Sequence, residues 1–269
     1  MKNSTLLPSL FISHGGGPWS YMEGEFRDNY KELELSLRQI PSLLKEKPKA
    51  VLIISAHWQT NVIAVSGHPQ PPMIYDYSGF PEETYRISYP AHGSLKLAQQ
   101  VQNLITKAGI DCEVDPDRGF DHGTFVPMSV IYPAADIPLV QLSIHSDSDP
   151  AFHLSLGRAL APLKSEGILI IGSGLSYHNL GNFGPAAKQI SKEFDDWLQR
   201  TICHTTSNER NDRLIHWEQA PSARQAHPQE DHLLPLLVAV GTAENEVASC
   251  IYHEENFIGG LSVSGFQFG

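Results

Sequence analysis

Two stretches, KAVLIIS at residues 49–55 and ILIIG at residues 168–172, are almost continuously apolar and bounded by turn-forming residues. A strand can be apolar on both faces only where both faces are covered, as for parallel strands in a sheet with helices packed on each side. Residues 6–13, 62–66, 138–144, 247–252 and 261–268 read as further strands. Between them run segments of helical period. Residues 94–108 repeat apolar side chains at Leu97, Val101, Leu104, Ile105 and Ala108, the stripe of an amphipathic helix. Residues 153–164, 185–204 and 231–240 read likewise. Residues 23–47 carry charges around Leu33, Leu35, Leu37, Ile40 and Leu44, and Pro41 is expected to break or kink that helix. Strand–helix alternation of this kind predicts an α/β sandwich with a central mixed or largely parallel sheet flanked by helices. No repeat, low-complexity tract or linker interrupts it, so residues 1–269 are expected to form a single domain.

Several function classes are disfavoured at once. The 19 basic against 30 acidic residues give a net charge of −11, a poor match to the phosphates of nucleic acid or an anionic membrane. No apolar run approaches the roughly 18 residues that span a bilayer, and the N-terminus lacks a signal-peptide pattern. Cys112, Cys203 and Cys250 are odd in number and form no C-x-x-C pair; they suit a reducing cytoplasm and argue against sulfur ligation of a metal. Neither G-x-x-x-x-G-K-[ST] nor G-x-G-x-x-G occurs, so a nucleotide cofactor has no support. HGGGP at residues 14–18 is similar to an esterase oxyanion-hole loop, yet GSGLS at 172–176 is not the serine elbow that such a loop requires.

Histidine is the outlier, with 13 in 269 residues. Ligands of open α/β sheets bind outside the carboxyl ends of the strands. His14 follows the first strand, His57 the second, and His178 the ILIIG strand. His122 lies in a Gly-flanked loop, and His232 near the start of the last helix with His227, Glu230 and Asp231 just upstream. Imidazoles leaving separate strands at one edge suit a mononuclear transition-metal site. Spacing alone leaves His232, Glu230 and Asp231 as alternatives for a further ligand. The remaining histidines read as surface or structural. Trp58, Phe80, Tyr85, Tyr89, Phe125 and Tyr177 fall near the histidine segments and could line an aromatic pocket, although packing in the core is the commoner role.

The segments FISHGGGP, ISAHW, DYSGFPEETYRISYPAHGS, GFDHGTFVPM, ADIPLVQLSIHS, GSGLSYHNL and EDHLLPLLVAVGTA occur in this order between residues 10 and 265. Together they resemble the class III extradiol ring-cleavage dioxygenases, and within them the DOPA 4,5-dioxygenase-like branch. The chain departs from that pattern at HGGGP, which usually reads H-G-S-P and here lengthens the loop beside His14.

The resemblance implies a single catalytic domain with one mononuclear non-haem metal, bound by His14, His57 and His232. It implies His178 as the acid–base residue at the metal, a residue sometimes also counted as a ligand, and His122 as a group that orients substrate or oxygen. The expected substrates are O2 and a catechol such as DOPA, opened to a muconic semialdehyde-type product. Fe(II) is the metal expected in catalysis. Zn²⁺ suits the same ligands and outcompetes Fe²⁺ at such sites, so it is expected in protein as isolated. A zinc hydrolase and a non-catalytic binding protein reusing the pocket are the alternative readings. Oligomeric state has no signature in the sequence.

Overall fold

The computed structural model describes residues 6–269. Its strands are β1 (Ser9–Ser13), β2 (Ala50–Thr60), β3 (Ile63–Ser66), β4 (Cys112–Asp115), β5 (Leu139–His145), β6 (Ile168–Gly174), β7 (Ala248–Phe257) and β8 (Leu261–Phe268). They form one mixed sheet in the order β4-β3-β5-β2-β6-β1-β8-β7. The middle four, β5-β2-β6-β1, run parallel. The hairpin β7–β8 joins antiparallel to β1, and β3 pairs antiparallel to β5. Every residue of β1 and β6 is buried, the outcome that their two-sided apolarity requires. Among the described residues no helix is long and apolar enough to cross a membrane.

Helix Leu234–Gly241 is apolar all round and wholly buried, and it packs on β6, β1 and β2. Its approach is close because β6 offers glycine where it crosses: a Cβ built on Gly172 would lie 2.3 Å from Pro235 O, and one on Gly174 2.1 Å from the carbonyl oxygen of His232 in the turn just before the helix. The Leu175 N–H donates to that same oxygen, at 3.1 Å. His232 is thereby fastened to the carboxyl end of β6. At the neighbouring strand the His14 N–H donates to Gly174 O, at 3.1 Å, so two histidine backbones are set by one strand end.

The structure departs from sequence expectation where packing overrides local preference. His57 lies inside β2, which continues to Thr60. Pairing with β6 stops at Ser55 and pairing with β5 resumes at Gln59, so the strand bulges around the histidine, as strands often do beside sites. His122 is not in a loop. It opens the helix His122–Ile131, which Gly123 and Pro127 disguise and which burial of nine of its residues stabilises. Pro41 does not break its helix, which runs from Lys31 to Leu43 after a separate turn at Glu25–Asp28. The helix expected over 153–164 starts at Pro150, behind an Asp149 cap, and is interrupted before Pro162. The last helix starts at Leu234 rather than 231. Strand β4, a short pairing at the sheet edge, and helix Ser207–Ile215, capped by Thr206, were not anticipated.

Candidate metal centre

Three imidazoles meet at the carboxyl edge of the sheet: His14 from the end of β1, His57 from the bulge of β2, and His232 from the turn before the last helix. Ring centroids are 4.9 Å apart for His14–His57, 5.1 Å for His14–His232 and 4.9 Å for His57–His232. One ligand atom from each can be chosen so that all lie within 4.8 Å of one another.

The outer nitrogens of His14 and His232 are hydrogen-bonded, and that of His57 faces a carboxylate. His14 Nδ1 is 3.2 Å from Ser173 Oγ, and that hydroxyl gives its own proton to Gly123 O. Ser173 must therefore accept from Nδ1–H. Gly123 O is free for this because the residue four places on, Pro127, has no N–H to close the helical bond. His232 Nδ1 donates to Asp231 Oδ2 at 2.9 Å, and His57 Nδ1 lies 3.3 Å from Asp76 Oδ2. With His57 likewise protonated at Nδ1, the nitrogen that faces Asp76, each Nε2 carries a lone pair. The Nε2 atoms of His14 and His57 are nevertheless only 3.1 Å apart. Two lone pairs at that separation repel unless a cation lies between them. Nitrogens bonded to one ion at about 2.1 Å and near right angles are about 3 Å apart, so the donor set fits a metal. A carboxylate or hydroxyl behind each imidazole is the usual support of a ligating histidine.

Burial holds these rings neutral. It drives the His14 and His232 pKa values well below the ordinary range, with the neighbouring histidines adding to the effect, and takes His57 down to about 3 against the pull of Asp76. Neutral imidazole is the form that ligates.

Two further histidines flank the three. His122 Nδ1 donates to Asp76 Oδ1 at 2.8 Å and its backbone N–H to the same oxygen at 3.0 Å. Burial pushes the Asp76 carboxyl up, but these bonds and the adjacent rings hold it at about 2. One carboxylate thus fixes His122 and faces His57. His178 stacks on His232, with centroids 3.4 Å apart and planes at 17°. Its Nδ1 is 3.9 Å from Asp231 Oδ1, a buried oxygen without a hydrogen-bond partner. Burial lowers the His178 pKa, with Asp231 opposing. His178 belongs to a separate possible ligand group with Asp231 and His232. Glu230, an alternative ligand from sequence, points away to Arg224 at 2.6 Å.

The histidines form the floor of a cavity of about 400 Å³. Its near wall is built on the HGGGP loop. Gly15 and Gly17 hold φ of +79° and +54°, and added Cβ atoms would strike the Trp19 and Phe80 rings at 2.2 and 2.6 Å. Tyr30 meets Gly16 in the same way, through its hydroxyl. The loop therefore packs three aromatic rings against bare backbone. Of the aromatic residues suggested by sequence, Phe80 lines the cavity, Trp58, Tyr89, Phe125 and Tyr177 are buried elsewhere, and Tyr85, half-buried, does not line it. Phe26, Tyr30, Phe183 and Phe257 line it and were not foreseen. Nor was Asp76, which lies in the segment DYSGFP, although no local pattern marks one aspartate there over another.

A family model described as the catalytic LigB subunit of aromatic ring-opening dioxygenase matches residues 8–262. The 4,5-DOPA dioxygenase extradiol of Beta vulgaris is 39% identical over 97% of this chain and 96% of its own. A dioxygenase named tasH from Hapsidospora irregularis is 36% identical over 93% of this chain and 82% of its own. The 4,5-DOPA dioxygenase extradiol of Escherichia coli (strain K12) is 33% identical over 100% and 97%. The crystal structure of the uncharacterized protein JW3007 from Escherichia coli K12 matches with a TM-score of 0.76 and 29% identity, covering 98% of this chain and 100% of that one.

Proposed function

The chain belongs to the family of the catalytic LigB subunit of aromatic ring-opening dioxygenases, the class III extradiol enzymes, and from that premise we propose that it opens a catechol-type ring at a mononuclear metal held by His14, His57 and His232. The whole of residues 1–269 acts as one catalytic domain. Both atoms of O2 enter the product as the ring bond beside the diol breaks, giving a muconic semialdehyde-type compound. The observation that carries this reading is the convergence of three neutral imidazoles, His14, His57 and His232, each offering a ligand atom within 4.8 Å of the others, with the Nδ1 atoms of His14 and His232 hydrogen-bonded behind.

Fe(II), if held there by His14, His57 and His232, would supply the electron transfer between diol and O2, which Zn²⁺ would not. The remaining roles belong to the chain. Three neutral ligands leave the site's positive charge uncancelled, so a catechol binds best after losing protons. His178, neutral and on the pocket side of His232, accepts a diol proton and later returns one. His122 is held by Asp76 with Nδ1 protonated, which leaves Nε2 as an acceptor turned to substrate oxygen. The relatives named for DOPA put DOPA in the catechol panel.

The test is anaerobic reconstitution with Fe(II), then air and a catechol panel, reading O2 uptake with absorbance of a yellow ring-opened product. Stoichiometric uptake with product, lost in His14→Ala and His57→Ala, is the expected result. No uptake with any catechol at one bound iron per chain would overturn the reading and favour a hydrolase or a binding protein.

A further inference from the structure

We propose, resting on the dioxygenase reading above, that the catechols this site prefers carry an apolar substituent and no carboxylate. Beyond the histidine floor the cavity is walled by Phe26, Tyr30, Phe80 and Phe257, a contiguous cluster with centroid distances of 5.6 Å for Phe26–Tyr30 and Phe26–Phe80 and 5.5 Å for Tyr30–Phe257. Tyr30 lines the cavity with its hydroxyl lying over the bare backbone of Gly16. Leu180 and Phe183, from the loop after His178, complete the wall. Leu180 is 74% exposed, at the rim of the cavity.

No lysine or arginine is among the described residues that line the cavity. The cations on nearby elements are already paired: Arg27 with Glu34, Arg118 with Asp121, and Arg224 with Glu218 and Glu230. The charged side chain in the lining is Asp76, an anion. A carboxylate on the substrate would leave water for a wall of rings, find no counter-ion and face a like charge, each a penalty on binding. An alkyl or ester substituent meets the same rings favourably, each buried methylene being worth about fourfold in affinity.

The experiment uses the full Fe(II)-loaded protein. Anaerobic calorimetry gives Kd for 4-butylcatechol, 3,4-dihydroxyphenylacetate, its methyl ester and DOPA, and O2 uptake after admission of air gives kcat/KM for the same four. The expected result is that the ester and 4-butylcatechol bind about 30-fold more tightly than the two carboxylates, with kcat/KM ordered the same way. Leu180→Arg, which places a cation at the rim, is expected to cut the ester-to-acid ratio about tenfold. Equal or tighter binding of the acids, or a ratio untouched by Leu180→Arg, overturns the inference while leaving ring cleavage intact. The apolar preference in Kd without O2 uptake from any compound upholds the inference and sinks the dioxygenase reading. No binding of any of the four overturns both.

Discussion

Asp76 offers the sharpest perturbation because one carboxylate supports two histidines. Its Oδ2 faces His57 Nδ1 at 3.3 Å, and its Oδ1 accepts from His122 Nδ1 at 2.8 Å and from the His122 N–H at 3.0 Å. Asp76→Asn keeps the shape but has one acceptor and one donor. It can serve one imidazole N–H and must present its NH₂ to the other, forcing that ring to flip or change tautomer. If His57 is the ring that loses, its Nε2 becomes protonated and stops ligating. Loss of such an outer partner costs about 10–100-fold in metal affinity. If His122 loses, metal binding is spared and the expected fall lies in kcat at saturating Fe(II). The assay is a competition titration of Fe(II) or Zn²⁺ against a chelator of known affinity, with a thermal melt to show that the variant folds. A folded Asp76→Asn with unchanged metal affinity and unchanged turnover would refute the argument that this carboxylate organises the site.

His178→Ala is expected to keep one metal per chain and lose at least about 100-fold in turnover; parallel loss of metal would make His178 a ligand instead. Gly174→Ala drives a Cβ to 2.1 Å from His232 O, so a stability loss of about 1–3 kcal/mol is expected by denaturant titration together with weakened metal binding. Unchanged values would show that β6 does not set His232. Burial holds His153 and His227 at about 4, against about 6.5 in an unfolded chain. The unfolded chain takes up protons below that value which the folded one refuses, so stability is flat above pH 7 and falls between pH 6.5 and 4. At pH 5 the two together cost about 4 kcal/mol. A urea midpoint that is the same at pH 7.5 and pH 5 would contradict this.

Much of the framework is legible in residue order. The two-sided apolar strands require a covered parallel core, and the structure has one, with His14 leaving β1 as its position after FIS suggests. Membership of the ring-opening dioxygenase family was likewise legible, in seven ordered segments. The supports were not. His57 was expected beyond its strand because AHWQT is not apolar, yet a bulge carries β2 onward through it. His122 was expected in a loop because glycine and proline argue against helix. The same Pro127 frees Gly123 O for Ser173, and Ser173 for His14. That chain of three hydrogen-bonding groups joins residues 14, 123 and 173, which no local window contains. The cavity walls escaped notice for the same reason: Phe26, Tyr30 and Phe257 are ordinary core-type residues until the HGGGP loop brings them together.

The proposed function makes O2 a substrate at a metal held by three histidines. The most direct test is turnover of a catechol under isotopically labelled O2 by the Fe(II)-loaded protein, with mass spectrometry of the ring-opened product. Both labelled atoms are expected in the product, and no product is expected from His232→Ala. Product free of label, or formed equally well without O2, would contradict it.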